Sequence, residues 1–203
     1  MSDFNSTQLH QAAKILLEGG LVVLPTDTVY GLAALAEDVE AVAALYRAKE
    51  RPPELPLPVM LASPQRVPEI AQPLPGFWQL AERFWPGPLT IILPKTEALP
   101  AIVTSGRATV GLRIPQHHLT LALLRLVDAP LAVTSANLSG QPPALTASQA
   151  RAQLAARVDF ILDGGPAPGR EPSTIVDLTQ PPFRILRPGP ITETQIREAL
   201  TEH

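Results

Sequence analysis

The sequence predicts an α/β (α+β) chain built on a mixed parallel and antiparallel sheet flanked by helices, on three observations. Segments with apolar residues at helical spacing alternate with short apolar runs of strand length. Pro falls between those segments rather than inside them. The last three strand-like runs are joined by short Gly/Pro-rich connections, which suit hairpins and a mixed sheet better than a purely parallel one. With 203 residues, 45% of them apolar, the chain can bury a full core and is expected to form one domain over 1–203.

Ser6 is placed to cap a first helix with apolar positions Leu9, Ala12, Ala13, Leu16 and Leu17, stopped by Gly19-Gly20. Leu21 to Leu24 then reads as a short buried strand. Asp38 caps a second helix through Val42, Leu45 and Tyr46 that runs into Lys49. Val59 to Ala62 reads as a strand, Gly76 to Trp85 as a helix ended by Pro86-Gly87-Pro88, and Leu89 to Leu93 as the next strand. Ala108 to Ile114 follows as a strand with Arg113 inside it. His118 to Val127 reads as an apolar helix, Leu131 to Thr134 as a central strand, and Ser135 begins the turn at its end. Ala147 to Ala156 is helical in pattern. Phe160 to Leu162, Thr174 to Leu178 and Phe183 to Leu186 are strand-like, and Thr192 to Leu200 forms a final helix.

Composition excludes several chemistries. A net charge of -3 lacks the basic excess of a protein that binds nucleic acid with its whole surface. No cysteine is present, so disulfides, thiolate metal sites and Cys nucleophiles drop out. The start Met1-Ser2-Asp3-Phe4 has no secretory pattern and no apolar run approaches membrane-spanning length, so a cytoplasmic protein with no membrane partner is expected. Proline is abundant, 24 of 203 residues, but lies between periodic segments, which indicates stiff loops in a folded chain.

Lys49 and Arg51 lie one residue apart at a helix end, before the brake Pro52-Pro53. Two such cations can converge on a polyanion, and Ser135-Ala136-Asn137 after a strand can add neutral donors; charges after a helix are also commonly just solvated. Pro25-Thr26-Asp27-Thr28-Val29-Tyr30-Gly31-Leu32 follows the first strand as a polar turn, able to bind a small zwitterion or to satisfy its own backbone. Arg113, in an apolar strand, needs an anion: Asp27, another structural partner or a ligand carboxylate. Ser173-Thr174 and Arg187-Pro188-Gly189 have ordinary turn readings. Trp78 and Trp85, seven apart on one helix, read as core. His117 and His118 are adjacent, so their side chains are expected to diverge; with His10 and His203 near the termini, no zinc site is expected. The phosphate-binding P-loop, the dinucleotide Gly-x-Gly-x-x-Gly and the Gly-x-Ser-x-Gly elbow are all missing, so a nucleotide must be held another way.

In their order, the segment 25–32, Lys49-x-Arg51-Pro52, Trp85-Pro86-Gly87-Pro88-Leu89-Thr90, Val110-Gly111-Leu112-Arg113-Ile114-Pro115, Ser135-Ala136-Asn137-Leu138-Ser139-Gly140, Ser173-Thr174-Ile175-Val176-Asp177 and Arg187-Pro188-Gly189 resemble the YrdC-like (TsaC) family of L-threonylcarbamoyladenylate synthases, over about residues 8 to 190. The resemblance implies a twisted mixed sheet around a concave positive cavity. It also implies that L-threonine, bicarbonate or CO2, and ATP with Mg2+ on its phosphates give L-threonylcarbamoyl-AMP and pyrophosphate. This is the first step towards N6-threonylcarbamoyladenosine (t6A) in ANN-decoding tRNAs, completed by a separate transferase complex. By the same resemblance Lys49, Arg51, Ser135 and Asn137 surround ATP, with Thr109 and Arg187 on the nucleotide side, and Thr28, Arg113 and Ser173 face L-threonine. No protein metal ligand and no general base is assigned.

The chain departs from the pattern after Pro52. Many relatives carry Asn-Pro-Leu and a histidine there, where this chain has Leu55-Pro56-Leu57 and Met60. It ends about fourteen residues after Gly189, so the short, single-domain form is expected. Three alternatives stay open: a module binding tRNA or double-stranded RNA modestly and in a salt-sensitive way, a related enzyme using carbamoyl phosphate, and a paralogue without threonine chemistry.

Overall fold

The computed structural model describes residues 3–169 and 171–201. Helix α1 (Asp3–Leu17) leads to β1 (Val22–Leu24) and β2 (Gly31–Leu35), then α2 (Val39–Lys49) and β3 (Val59–Met60). The short helix α3 (Val67–Ile70) precedes α4 (Phe77–Phe84), β4 (Leu89–Pro94), α5 (Ala101–Thr104) and β5 (Thr109–Arg113). Then come α6 (His118–Val127), β6 (Leu131–Ser135), α7 (Ala147–Leu154), β7 (Phe160–Ile161), β8 (Thr174–Asp177), β9 (Arg184–Arg187) and α8 (Glu193–Thr201). Asp38 is the N-cap of α2, its carboxylate accepting from the backbone N–H groups of Glu40 and Ala41 at 2.9 and 3.0 Å.

The strands form a nine-stranded sheet in the order β7-β1-β2-β6-β3-β5-β4-β8-β9. It is mixed: β7 on β1, β3 on β5 and β4 on β8 are parallel, and the other pairs are antiparallel. Because side chains alternate along a strand, the register sorts residues onto two faces. One face carries Val23, Leu32, Val59, Ile91, Leu112 and Val176, packed with residues of α2, α3, α4, α5, α7 and α8 into the larger core. The other carries Val22, Leu24, Ala33, Met60, Leu131 and Val133, packed under α1 and α6. Those two helices cover only the β1–β6 half of that face.

Several expectations need correction. Helix α1 begins at Asp3, so Ser6 lies in its first turns and is no cap; no Gly or Pro precedes it to stop the helix there. Strand β2 was not expected, since Gly31-Leu32-Ala33-Ala34-Leu35 has little β-branched or aromatic content and is a strand through its pairing with β1 and β6. The three last strands are no single meander: β8 and β9 form a hairpin, but β7 lies at the opposite edge, parallel to β1. Trp85 is buried, whereas Trp78 is 47% exposed on the outer side of α4. The rings of His117 and His118 do not diverge but stack at 5.0 Å. His117 is the extended N-cap position and His118 the first helical residue, so neither strand alternation nor helical rotation separates them.

Replacing Asp38 by Ala is expected to lower stability by about 1 kcal/mol through loss of the cap. Leu112→Ala, in the middle of the larger core, should cost roughly 2–5 kcal/mol. Urea unfolding with unchanged m-values checks both.

Candidate functional site

Beyond the edge of α1 and α6, the uncovered half of the sheet face forms a cleft of about 210 Å³. The strand residues that line it share one face by register: Gly31 with Ser135, Met60 with Arg113, Thr90 with Ile175, and Ile175 with Arg187. Loops close its sides, with Thr26 to Tyr30 after β1, Arg51 to Pro58 after α2, and Pro172 and Ser173 before β8. Three arginines, Arg51, Arg113 and Arg187, line the cleft, and none of the lining residues is acidic.

Arg113 is 5% exposed and its charge is matched by Asp27, which accepts from Nη2 at 2.7 Å. Nη1 donates to Thr28 Oγ1 at 2.9 Å and Nε to the Gly87 carbonyl at 3.0 Å. Of the candidate anions, Asp27 is therefore the partner within the chain, and the buried guanidinium does not depend on a ligand for it. Three of its five N–H groups are used, leaving two. Burial pulls the Arg113 pKa down against the pull of Asp27. Asp27 Oδ1 also accepts from the Gln116 backbone, while Asp27 Oδ2 and His117 Nδ1 are buried without a partner.

Arg187 grips Ser173: Nε and Nη2 donate to its carbonyl at 3.0 and 2.8 Å, and Nη2 to its Oγ at 3.1 Å. Ser173 Oγ is 2.8 Å from Thr90 Oγ1. Burial, and then the charge of Arg113, lower the Arg187 pKa. Arg51 donates to the carbonyls of Leu55 and Pro56 at 3.2 and 3.0 Å, holding its own loop in a tight curl, and burial lowers its pKa as well. These groups remain charged at any ordinary pH; the lowering comes first from their burial.

Lys49 is not a solvated helix-end lysine. It is 1% exposed, and its ammonium donates to the carbonyls of Ser135 and Asn137, each at 2.5 Å, and to Asn137 Oδ1 at 3.4 Å. Its own carbonyl accepts from the Ser139 N–H, while Asn137 Nδ2 ties the turn to Leu138 and Gln141. Lys49 thus anchors the Ser135–Asn137 turn from beneath the floor of the cleft. Burial, followed by repulsion from Arg51, lowers its pKa to about 8.

Of the residues singled out from sequence, Thr28, Arg51, Arg113, Ser135, Ser173 and Arg187 line the cleft, and Lys49 and Asn137 lie directly behind Ser135. Thr109 does not join them. It opens β5 opposite Pro94, four residues from Arg113, or roughly 13 Å along a strand, and lies outside the cleft. Thr26, Thr90 and Ile175, quoted above only within motifs, Met60, noted only as a departure from the pattern, and Val133 also line it without having been assigned to the site. For the strand residues among them the signal was a shared face with Arg113, readable only once the pairing is known. The adjoining loop is held by Tyr30, whose hydroxyl donates to the Gly165 carbonyl at 2.6 Å and accepts from the Gly164 N–H at 3.1 Å. Gly169 lies so close to Thr28 that a Cβ would stand 2.7 Å from its backbone.

Among the described residues no group of three or more His, Asp or Glu could hold a metal ion; His203 lies outside them. None of their helices is long and apolar enough to cross a membrane.

The Sua5/YciO/YrdC family model, described as telomere recombination, matches residues 14–189. The chain is 41% identical over 192 residues to a Pyrococcus abyssi protein named threonylcarbamoyl-AMP synthase, covering 94% of this chain and 56% of that one. It is 44% identical over 183 residues to a putative threonylcarbamoyl-AMP synthase of Mycobacterium tuberculosis, covering 90% and 84%. The crystal structure of P. abyssi Sua5 complexed with L-threonine superposes with a TM-score of 0.91 at 41% identity, over 96% of this chain and 57% of that chain. The chain therefore spans little more than half the length of the longer relatives it matches, and with most of its residues matched in sequence and in fold it belongs to the Sua5/YciO/YrdC family.

Proposed function

We propose that the chain is an L-threonylcarbamoyladenylate synthase, which converts L-threonine, bicarbonate or CO2, and ATP into L-threonylcarbamoyl-AMP and pyrophosphate. The observation that carries the reading is the cleft with three arginines and no acidic lining residue, one of the arginines keeping two N–H groups free. The names of the relatives at about 40% identity support the same activity. The product would pass to a transferase complex that modifies tRNA, which puts the protein in the cytoplasm. One nine-stranded sheet through the described residues supports reading the chain as one domain.

In this reading the free N–H groups of Arg113 bind the threonine carboxylate, beside Thr28 and Ser173. Arg51, Arg187 and the Ser135–Asn137 turn meet the nucleotide, with the Lys49 charge behind that turn; Thr109, on the Arg113 face of β5 but outside the cleft lining, would meet only a part of the nucleotide that extends beyond it. The threonine amine adds to CO2 to form a carbamate, and the proton it releases is taken up as bicarbonate dehydrates to that CO2 and water; the carbamate is an anion that reverts in water, so a walled cleft beside ATP is needed. A carbamate oxygen then attacks the α-phosphorus in line as the bond to the β-phosphate oxygen breaks and pyrophosphate leaves. The side chains' work is to align the two substrates and to neutralise charge. Mg2+ would be carried on the ATP phosphates, since the cleft offers no carboxylate to hold it. It would supply further charge neutralisation there.

Pyrophosphate release should require L-threonine and bicarbonate together, with mass spectrometry finding the threonylcarbamoyl-AMP adduct. Release independent of threonine would sink the reading. Arg113→Lys keeps a charge facing Asp27 but loses the planar fork, and is expected to raise the threonine KM by roughly 10- to 100-fold with a much smaller effect on the ATP KM. Equal effects on both would remove Arg113 from the threonine site. The lowered Lys49 pKa, about 8, means its ammonium is present below that pH and neutral above it. The ATP KM should therefore rise as pH increases through 8 while the threonine KM does not follow, which steady-state kinetics across that range will measure.

A further inference from the structure

Arg113 has neighbours of opposite character on the two strands beside it. On β3 its register partner is Met60. On β4, Thr90 precedes Ile91, whose partner is Leu112, so Thr90 lies beside Arg113 on the same face. All three line the cleft. The Met60 side is extended by Val133 of β6, two residues on from Leu131, the partner of Met60 on that strand, and offers only methyl, methylene and thioether surface.

The Thr90 side is a chain of hydroxyls. Arg187 donates to Ser173 Oγ, and Ser173 Oγ lies 2.8 Å from Thr90 Oγ1. Either hydroxyl of that pair can donate to the other; when Ser173, which already accepts from Arg187, gives its proton to Thr90, the Thr90 hydroxyl proton is available to a ligand. Adjacent strands are about 4.8 Å apart. A carboxylate seated on Arg113 therefore leaves the β-carbon of the same amino acid within reach of both neighbours.

From these two flanks we infer that Met60 and Thr90 determine side-chain specificity. Met60, with Val133, receives a methyl group on the β-carbon, and Thr90 donates a hydrogen bond to a hydroxyl on the same carbon. The pair selects L-threonine over L-serine, which lacks the methyl, over L-valine, which lacks the hydroxyl, and over L-allo-threonine, which exchanges the two. The inference rests on the threonine-binding reading of Arg113 and goes further by naming what reads the side chain. One methyl in an apolar pocket discriminates by about 10- to 200-fold, and a buried donor left unpaired rejects an analogue at least as strongly.

The test is kcat/KM for pyrophosphate release with each amino acid, together with the thermal shift each induces. Met60→Ala is expected to lower the threonine-to-serine ratio by about 10-fold and leave the threonine-to-valine ratio unchanged. Thr90→Val is expected to do the reverse, and Thr90→Ser, which keeps the hydroxyl, to retain the wild-type ratios. If either variant lowers both ratios together, or neither moves the ratio assigned to it, the inference is overturned. Should the wild-type chain show neither threonine-dependent release nor a threonine-induced shift, the threonine reading itself fails and takes this inference with it; a wild type active on threonine with unmoved ratios sinks the inference alone.

Discussion

A sheet of nine strands hides its apolar faces only where helices cover them, and here half of one face is left open. The larger core occupies the whole of the opposite face, while α1 and α6 end at the line of Met60 and Val133. Beyond that line the strands continue, so their side chains on this face must be polar, small or shielded by loops. The cleft follows from that vacancy. Gly111 shows the same constraint at close range: a Cβ there would meet Thr90 at 3.1 Å and stand 3.8 Å from Pro58 of the covering loop.

Most polar groups at such a place satisfy one another when no ligand is present, because a buried donor or acceptor left unpaired costs about 1–3 kcal/mol; Asp27 Oδ2 and two N–H groups of Arg113 are left over. Three linked sets do this. Arg113 is held by Asp27, Thr28 and Gly87; Arg187 by Ser173, with Thr90 behind it; Lys49 by Ser135 and Asn137. Each set spans segments far apart in sequence and fixes one wall of the cleft. The backbone therefore carries much of the work of orienting the cations, through the carbonyls of Gly87, Leu55, Pro56, Ser135, Asn137 and Ser173. Preorganised charge of this kind needs little rearrangement when an anion arrives.

Much of the fold was legible where local rules decide. Asp38, α4 behind Gly76, the apolar helix from His118 to Val127 and the strand at Leu131 all follow from caps, breakers and periodicity. Strand β2 was not, because Gly31 and its alanines are strand only by virtue of two neighbours. The placement of β7 against β1 was not either, since short connections say nothing about a pairing across the sheet. In the site, Arg113 and the pair Lys49 and Arg51 stood out as charges in unusual settings. Their partners did not: Asp27 was one of several candidate anions, and nothing local marks Lys49 as fully buried.

The sequence by itself determined the inventory and its order: a mixed α/β chain without cysteine, its cations and hydroxyls placed at strand ends and helix termini. Periodicity and turn chemistry act over a few residues, so those features are written locally. The tertiary structure alone decided which half of one sheet face stays open, that Asp27 neutralises Arg113, that Lys49 works from behind Ser135, and that Met60 and Thr90 flank Arg113. Those relations depend on strand register and on pairings between residues far apart in the chain, and a shift of one residue in register would turn every such side chain to the opposite face.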